Sequence, residues 1–262
     1  DTTPYTILVV DDNPDMTDFL KRTFEGYFKR IIIAGDGVEA LQLVRSHVPD
    51  IIVSDVMMPR MNGYKLCKTI KEDINISHIP VILLTARDDR QSQISGYKNG
   101  ADGYLSKPFE VEMLMELIRN RLKNREYTKK RYLNAGLIPT PEESTISLTD
   151  ETFLIKLNSI IQENIENSNL GIQFICQEVG LGRSSLYNKL KALTGMGANE
   201  YISKLRIEKA ITLISGTDMP FSEIAEKTGF TTPSYFSTAF KQYTGETPSQ
   251  YKERKKKGLA DK

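Results

Sequence analysis

Short apolar runs and amphipathic stretches alternate along the first half of this chain. The runs are Ile7–Val10, Ile31–Ala34, Ile51–Ser54, Val81–Thr85 and Gly103–Ser106, each of strand length. Their near-continuous Ile, Val and Leu content suits strands buried on both faces, the environment of a parallel sheet. Between them, Asp15–Phe28, Gly37–His47 and Val111–Lys123 have helical spacing. The last of these places Leu114, Leu117, Ile118 and Leu122 on one stripe. The pattern predicts an α/β, doubly wound, five-stranded parallel sheet, with its site beyond the carboxyl ends of the strands.

In the second half only the helical period remains. Phe153, Leu157, Ile160, Ile161 and Ile165 predict a helix over Thr152–Asn167. Ile172–Val179, Gly180 and Arg183–Leu193 then read as helix, turn and helix. The unit recurs. Ile175-Cys-Gln-Glu-Val-Gly-Leu pairs with Ile224-Ala-Glu-Lys-Thr-Gly-Phe at an offset of 49 positions. Ser184, Leu186, Leu190, Lys191, Thr194, Gly195 and Tyr201 pair with Ser234, Phe236, Phe240, Lys241, Thr244, Gly245 and Tyr251 at an offset of 50. One extra residue in the second turn accounts for the difference. Asn199–Ile214 reads as a connecting helix whose Tyr201, Ile202, Leu205, Ala210, Ile211 and Ile214 can pack on both units. An all-α domain with two helix-turn-helix units is therefore expected.

Between the halves, Glu110 to about Leu133 reads as one long helix. Pro139-Thr-Pro-Glu-Glu-Ser-Thr-Ile-Ser follows as a polar, Pro-punctuated connection. Thr149 or Asp150 would cap the next helix. The expected organisation is an α/β domain over 5–124, a linker over 125–149 and a helical domain over 150–255.

A length of 262 residues accommodates two ordinary domains, and the composition is that of a globular chain rather than a disordered one. No apolar run approaches the roughly 20 residues of a membrane helix. The start, Asp1-Thr2-Thr3-Pro4, lacks an initiating Met and any basic-then-apolar signal, so no signal peptide is expected and a piece of a longer polypeptide fits. Cys67 and Cys176 read as separate reduced thiols. From Arg183 to Lys257, 13 Lys/Arg stand against 7 Asp/Glu, a basic balance that permits contact with nucleic acid.

The polar residues at the strand ends carry the chemistry. Asp11 and Asp12 end the first strand, Asp55 the third, Thr85 the fourth and Lys107 the fifth, so a parallel sheet would bring them to one edge. Two carboxylates about 4 Å apart repel by about 4 kcal/mol at an effective dielectric of about 20. Such a cluster calls for a cation, and an all-oxygen site with room for water and phosphate suits Mg²⁺. An aspartate held there can attack a phosphoryl group, and Thr85 can donate to the new phosphoryl oxygens.

Four segments closely resemble the receiver domain of bacterial response regulators, a flavodoxin-like fold, over about Tyr5–Lys123. They are Ile7-Leu-Val-Val-Asp-Asp-Asn, Val53-Ser-Asp-Val-Met-Met-Pro, Leu84-Thr-Ala and Ala101-Asp-Gly-Tyr-Leu-Ser-Lys-Pro-Phe. The resemblance implies that Asp55 is the phosphoacceptor. It further implies that Asp12, Asp55 and the Met57 carbonyl bind Mg²⁺, with Asp11 acting through water. Lys107 would hold the phosphoryl group, Thr85 and Tyr104 would form a switch, Pro108 would follow a cis peptide, and Pro59 and Gly63 would shape the adjoining loop. Switching would move the surface of the fourth helix, fifth strand and fifth helix. A dehalogenase-type phosphatase also uses an aspartate with Mg²⁺. It needs Asp-x-Asp where this chain has Asp11-Asp12-Asn13. Neither His47 nor His78 lies in a kinase phosphoacceptor motif, so the phosphoryl group comes from elsewhere and the chain is not expected to be an enzyme in its own right.

The second half resembles the AraC/XylS-type DNA-binding domain over roughly Phe153–Arg254. The resemblance is carried by Gly182-Arg-Ser-Ser-Leu-Tyr-Asn-Lys-Leu-Lys-Ala-Leu-Thr-Gly-Met, Ser222-Glu-Ile-Ala-Glu-Lys-Thr-Gly-Phe, Ser234-Tyr-Phe-Ser-Thr-Ala-Phe-Lys and Thr247-Pro-Ser-Gln-Tyr. By helical phase Leu186, Leu190, Leu193, Phe236 and Phe240 are core. Arg183, Ser184, Tyr187, Asn188 and Lys191 in the first unit, and Ser234, Ser237, Thr238 and Lys241 in the second, are the candidate DNA contacts. Asn188 suits adenine, while Lys191 and Lys241 suit phosphates. Thr238 departs from the Arg or Lys common there in the family. The pairing of domains resembles the cytoplasmic end of hybrid two-component sensors. It implies a sensor histidine kinase in trans or on the same polypeptide, double-stranded promoter DNA and RNA polymerase as partners, and a homodimer on phosphorylation. The rival reading is a phosphate sink in which DNA binding is residual.

Overall fold

The computed structural model describes residues 3–86, 100–134 and 147–260. The chain divides into two compact units, one running to Tyr132 and taking in the stretch that ends at Glu151, the other beginning at Thr152.

The first unit is built on strands β1 (Thr3–Val10), β2 (Phe28–Ala34), β3 (Ile51–Asp55), β4 (Val81–Ala86) and β5 (Gly103–Lys107). All pairings are parallel, in the order β2-β1-β3-β4-β5. Helices α1 (Pro14–Phe24), α2 (Gly37–His47), α3 (Gly63–Glu72) and α4 (Val111–Asn134) cover the sheet. The continuous apolar runs have a direct cause. Ile7 and Val9 of β1 pack with Leu20 and Phe24 of α1 and Leu114, Ile118 and Leu122 of α4. The alternate residues, Leu8 and Val10, pack with Ala40 and Val44 of α2 and Leu66 and Ile70 of α3. Both faces of β1 are thus core, which leaves no polar alternation to read.

This is the flavodoxin-like sheet the pattern predicts, with three local corrections. Helix α1 stops at Phe24 instead of reaching Phe28, because Gly26 turns the chain with a φ of 84° and Phe28 opens β2, its ring edge-on to Phe24 at 5.5 Å. Helix α3 fills the β3–β4 crossover that a doubly wound sheet requires, a place for which the residue pattern offers no range. Its buried residues are only Gly63, Leu66, Cys67 and Ile70, too short a stripe to stand out, and Asn62 caps it by accepting from Lys65 N. The next helix begins at Leu148, with Ser147 Oγ accepting from Asp150 N at 3.2 Å. The expected caps lie inside its first turn. Thr149 Oγ1 donates to the Lys71 carbonyl at 2.9 Å and Asp150 Oδ1 accepts from Ser77 Oγ at 2.7 Å. The helix read from Glu110 to Leu133 is one element, α4, and Lys107–Pro108 is cis. Residues 135–146 of the expected linker, and the helix expected between β4 and β5, fall outside the described residues.

The second unit comprises α5 (Leu148–Glu163) from Thr152 onward, α6 (Ile172–Val179), α7 (Arg183–Thr194), α8 (Ala198–Gly216), α9 (Phe221–Lys227), α10 (Pro233–Thr244) and α11 (Pro248–Ala260). Helix α5 ends at Glu163 rather than Asn167. The Asn164 side chain donates to the Ile160 carbonyl and competes with the helical pattern. Ile165, beyond that end, is still buried.

The internal repeat is visible in the backbone. Gly180 and Gly229, paired by the sequence offset, have φ of 75° and 72°, and Gly195 and Gly245 have φ of 76° and 83°. Thr194 and Thr244, also paired, donate to the carbonyls of Leu190 and Phe240. Leu186, Leu190, Leu193, Phe236 and Phe240 are buried.

Candidate functional site

The sheet register assembles the first site. Val10 lies beside Ser54, Asp55 beside Leu84, and Ala86 beside Lys107, so the residues closing β1, β3, β4 and β5 meet at one edge. That edge is where the strand order reverses between β1 and β3, the crevice in which doubly wound folds bind ligands.

Lys107 Nζ lies 2.5 Å from Asp55 Oδ1 and 2.9 Å from Asp11 Oδ2. The second oxygens are also engaged: Asp55 Oδ2 accepts from Met57 N at 2.7 Å and Asp11 Oδ1 from Asn13 N at 2.9 Å. Both carboxylates are buried, whereas Asp12 is exposed and Met57 projects its side chain outward. Burial by itself would lower the Lys107 ammonium, but the hydrogen bonds and charges of Asp55 and Asp11 outweigh it and hold it above the ordinary lysine value. Thr85 is 1% exposed, and its hydroxyl has no hydrogen-bond partner among the described residues. A buried hydroxyl left unpaired costs about 1–3 kcal/mol. Tyr104 is half-buried, packed against the core cluster of β1, α2 and α3.

The donors Asp11, Asp12, Asp55 and the Met57 carbonyl are all oxygen and suit a hard divalent cation. Among the described residues, no three His, Cys, Asp or Glu side chains already converge on a metal position. The Lys107 ammonium between Asp11 and Asp55 supplies the compensating charge.

The loop after β3 is tightly constrained. A Cβ on Gly63 would collide with the Asp55 carbonyl oxygen, and Gly63 N donates to the Val56 carbonyl at 3.0 Å. Sequence reasoning missed a second constraint: Arg60, with a left-handed φ of 60°, forms an ion pair with Asp36. Asp36 is buried and also accepts from Val38 N and Glu39 N at the start of α2. Neither residue belongs to a motif, so only the fold could reveal the pair.

In the second unit, Arg183, Ser184, Tyr187, Asn188 and Lys191 are exposed along α7. An open cavity of about 390 Å³ lies beside them, with Ile172, Leu186 and Ala198 forming apolar lining and Ser184, Tyr187 and Asn188 the more polar part. Lys189, between these residues in sequence, is instead buried, its ammonium 5.1 Å from the Phe153 ring centroid. On α10, Ser234, Thr238 and Lys241 are exposed, while Ser237 is half-buried. The Thr238 hydroxyl donates to the Ser234 carbonyl. Tyr235, which the sequence reading passed over, is 56% exposed on the same helix.

A family profile for the response regulator receiver domain matches residues 7–119, and one for a helix-turn-helix domain matches residues 175–254. Response regulator MprA of Mycobacterium sp. (strain KMS) is 36% identical over 165 residues, covering 58% of this chain and 70% of that protein. The chain belongs to the response regulators of two-component signalling, with a receiver domain and an AraC-type helix-turn-helix domain. Histidine kinase P4 of Formosa agariphila is 41% identical over 249 residues, 95% of this chain. DNA-binding response regulator MtrA of Mycolicibacterium smegmatis is 36% identical over 136 residues, 52% of this chain. The chain spans 18% of the length of the first and 58% of the second. No helix among the described residues is long and apolar enough to cross a membrane.

Proposed function

We propose that this chain is a phosphorylation-dependent, sequence-specific transcription regulator acting in the cytoplasm. Asp55 takes a phosphoryl group from a phosphohistidine of a sensor histidine kinase, and the two helix-turn-helix units read promoter DNA. The observation that carries the reading is the Lys107 ammonium between Asp55 and Asp11, beside the unpartnered Thr85 hydroxyl. As the donor P–N bond breaks, an Asp55 carboxylate oxygen forms the new P–O bond. Lys107 is placed to balance the charge of the transferred group, and Thr85 to donate to one of its oxygens. Asp11, Asp12, Asp55 and the Met57 carbonyl would hold Mg²⁺, which when bound neutralises phosphoryl oxygens.

On α7, Asn188 pairs with an adenine edge, Ser184 and Tyr187 contact neighbouring bases, and Arg183 and Lys191 meet phosphates. On α10, Ser234, Ser237 and Thr238 face bases and Lys241 a phosphate. Filling the Thr85 hydroxyl draws Tyr104 inward and favours pairing of receivers, which brings two DNA-binding domains to adjacent sites, within reach of RNA polymerase.

The test has two arms. The chain is incubated with labelled acetyl phosphate with and without Mg²⁺, and then used to select fragments from genomic DNA. Mg²⁺-dependent label absent from Asp55→Asn, together with enrichment of one sequence, supports the reading. Label without any sequence preference would instead identify a phosphate sink.

A further inference from the structure

We propose that Arg206 is the positioning residue that sets the angle between the two helix-turn-helix units, and thereby the spacing of the two DNA segments they read. The proposal rests on the DNA-binding reading above. Arg206 lies midway along α8, the helix connecting the units, and is 9% exposed. Its Nη2 donates to the Asn167 carbonyl at 2.7 Å, in the turn that leads from α5 into the first unit. The other side of its guanidinium faces the second unit, with Cζ 5.9 Å from the Phe230 ring centroid. One side chain on the connector thus touches the second unit and the turn that leads into the first.

The second unit closes onto the same point. Gly229, in the turn between α9 and α10, has a φ of 72°. A Cβ there would collide with the Ile165 carbonyl oxygen and lie 2.8 Å from Arg206 Nη2. The turn of the second unit is therefore seated directly against the turn that follows α5. Phe230 passes this position on to the recognition helix, its ring centroid 5.4 Å from Phe236 and 5.8 Å from Tyr235. Lys209, one turn along α8, reinforces the junction through a 3.3 Å ion pair with Glu166.

A space-filling role alone does not account for an arginine. Its Nε is buried with no hydrogen-bond partner among the described residues, and burial lowers its pKa. An apolar side chain of similar length would fill the volume without that desolvation cost. A planar guanidinium can donate to a carbonyl at one edge while packing over an aromatic ring, which neither a methionine nor a lysine side chain can do. The two contacts together define a direction, which is what a fixed angle between two DNA-reading units requires.

The experiment uses the full chain and a random-sequence duplex library. Selected duplexes are footprinted to find the two protected segments, and one or two base pairs are then inserted or deleted between them. Each inserted pair rotates the second segment by roughly 34° about the duplex axis. The parent chain is expected to lose about tenfold in affinity or more per inserted pair. In Arg206→Met the loss should shrink to about threefold or less, because the units can re-orient. A residue that merely stabilises the fold would lower affinity at every spacing alike, and an undiminished spacing penalty in Arg206→Met overturns the proposal. If Arg206→Met loses its helical circular dichroism, Arg206→Lys is measured on the same duplexes. Its penalty should be smaller than the parent's, and an equal one is again a refutation. Failure of the parent chain to enrich any duplex would sink the DNA-binding reading itself, a different result.

Discussion

Lys107 Nζ lies 2.5 Å from Asp55 Oδ1, although the two residues end strands β5 and β3, which are not neighbours in the sheet. The ion pair spans β4, the strand that lies between them. The pair therefore senses the relative height of three strands, and its loss should be felt in both stability and chemistry. Lys107→Met leaves two buried carboxylates without their ammonium and should cost about 3–5 kcal/mol, read as a lower denaturant midpoint. Asp55→Asn keeps the shape and should abolish Mg²⁺-dependent labelling from acetyl phosphate. Stable labelling of that variant at another residue would remove Asp55 from its role.

Gly63→Ala places a methyl group against the Asp55 carbonyl oxygen and close to Val56 Cα. Both obstacles are backbone, so neither can rotate away. A stability loss of about 1–3 kcal/mol is expected. Slower labelling of Asp55 should accompany it, since the displaced loop carries Met57 N, a hydrogen-bond donor to Asp55 Oδ2. Equal labelling rates in parent and variant would show that the loop does not position the acceptor.

Asn188 and Lys191 lie about one turn apart on the exposed face of α7 and should separate in their effects. Asn188→Ala should cost about 1–3 kcal/mol on the preferred duplex and relax preference at one base position. Lys191→Ala should weaken binding to all duplexes and reduce the salt slope by about one unit. Titrations at several salt concentrations distinguish these outcomes, and a uniform effect of Asn188→Ala would exclude base reading by that residue.

Thr85→Ala removes the buried hydroxyl while leaving Asp55 and Lys107 in place. Labelling should persist, but the phosphorylation-dependent gain in DNA affinity should vanish; coupling of this kind is typically about 1–3 kcal/mol, or roughly 5- to 150-fold. Comparison of DNA affinity before and after acetyl phosphate treatment provides the measurement. A variant that responds as the parent does would eliminate Thr85 as the link.

Cys67 supplies a pH test independent of function. Burial is the main cause that pushes its thiol up to about 12, with Lys71 opposing and Asp102 adding to the rise. The folded chain keeps a proton that the unfolded chain releases from its ordinary 9.0 upward. The contribution is thus complete below about 9 and falls as pH climbs towards about 12, by at most about 1.4 kcal/mol per pH unit. Denaturant midpoints across that window should fall more steeply for the parent than for Cys67→Ala. Near neutral pH, iodoacetamide should reach the half-buried Cys176 well before Cys67.

Much of the fold is legible in the order of residues because its signals are local. The five strands are runs of Ile, Val and Leu, and the repeat in the second half shows itself as matched glycines whose left-handed φ values follow from one turn chemistry. Asp11, Asp12, Asp55, Thr85 and Lys107 can be placed at one edge from sequence alone, since strand ends of a parallel sheet share a side. Which of them touch is a different matter. Strand order and register put Lys107 between Asp11 and Asp55, and leave Asp12 exposed. The ion pair of Arg60 with Asp36, the short stripe of α3 and the Ser147 cap carry no periodic or motif signal. Arg206 is the clearest case. In sequence it is one basic residue on a connecting helix, and only tertiary packing brings the Asn167 carbonyl and the Phe230 ring to its guanidinium. Patterns of polarity determine which faces are buried, because burial free energy depends on surface area and not on direction. Hydrogen bonds and ion pairs depend on distance and angle, so their partners are decided only when the chain has folded.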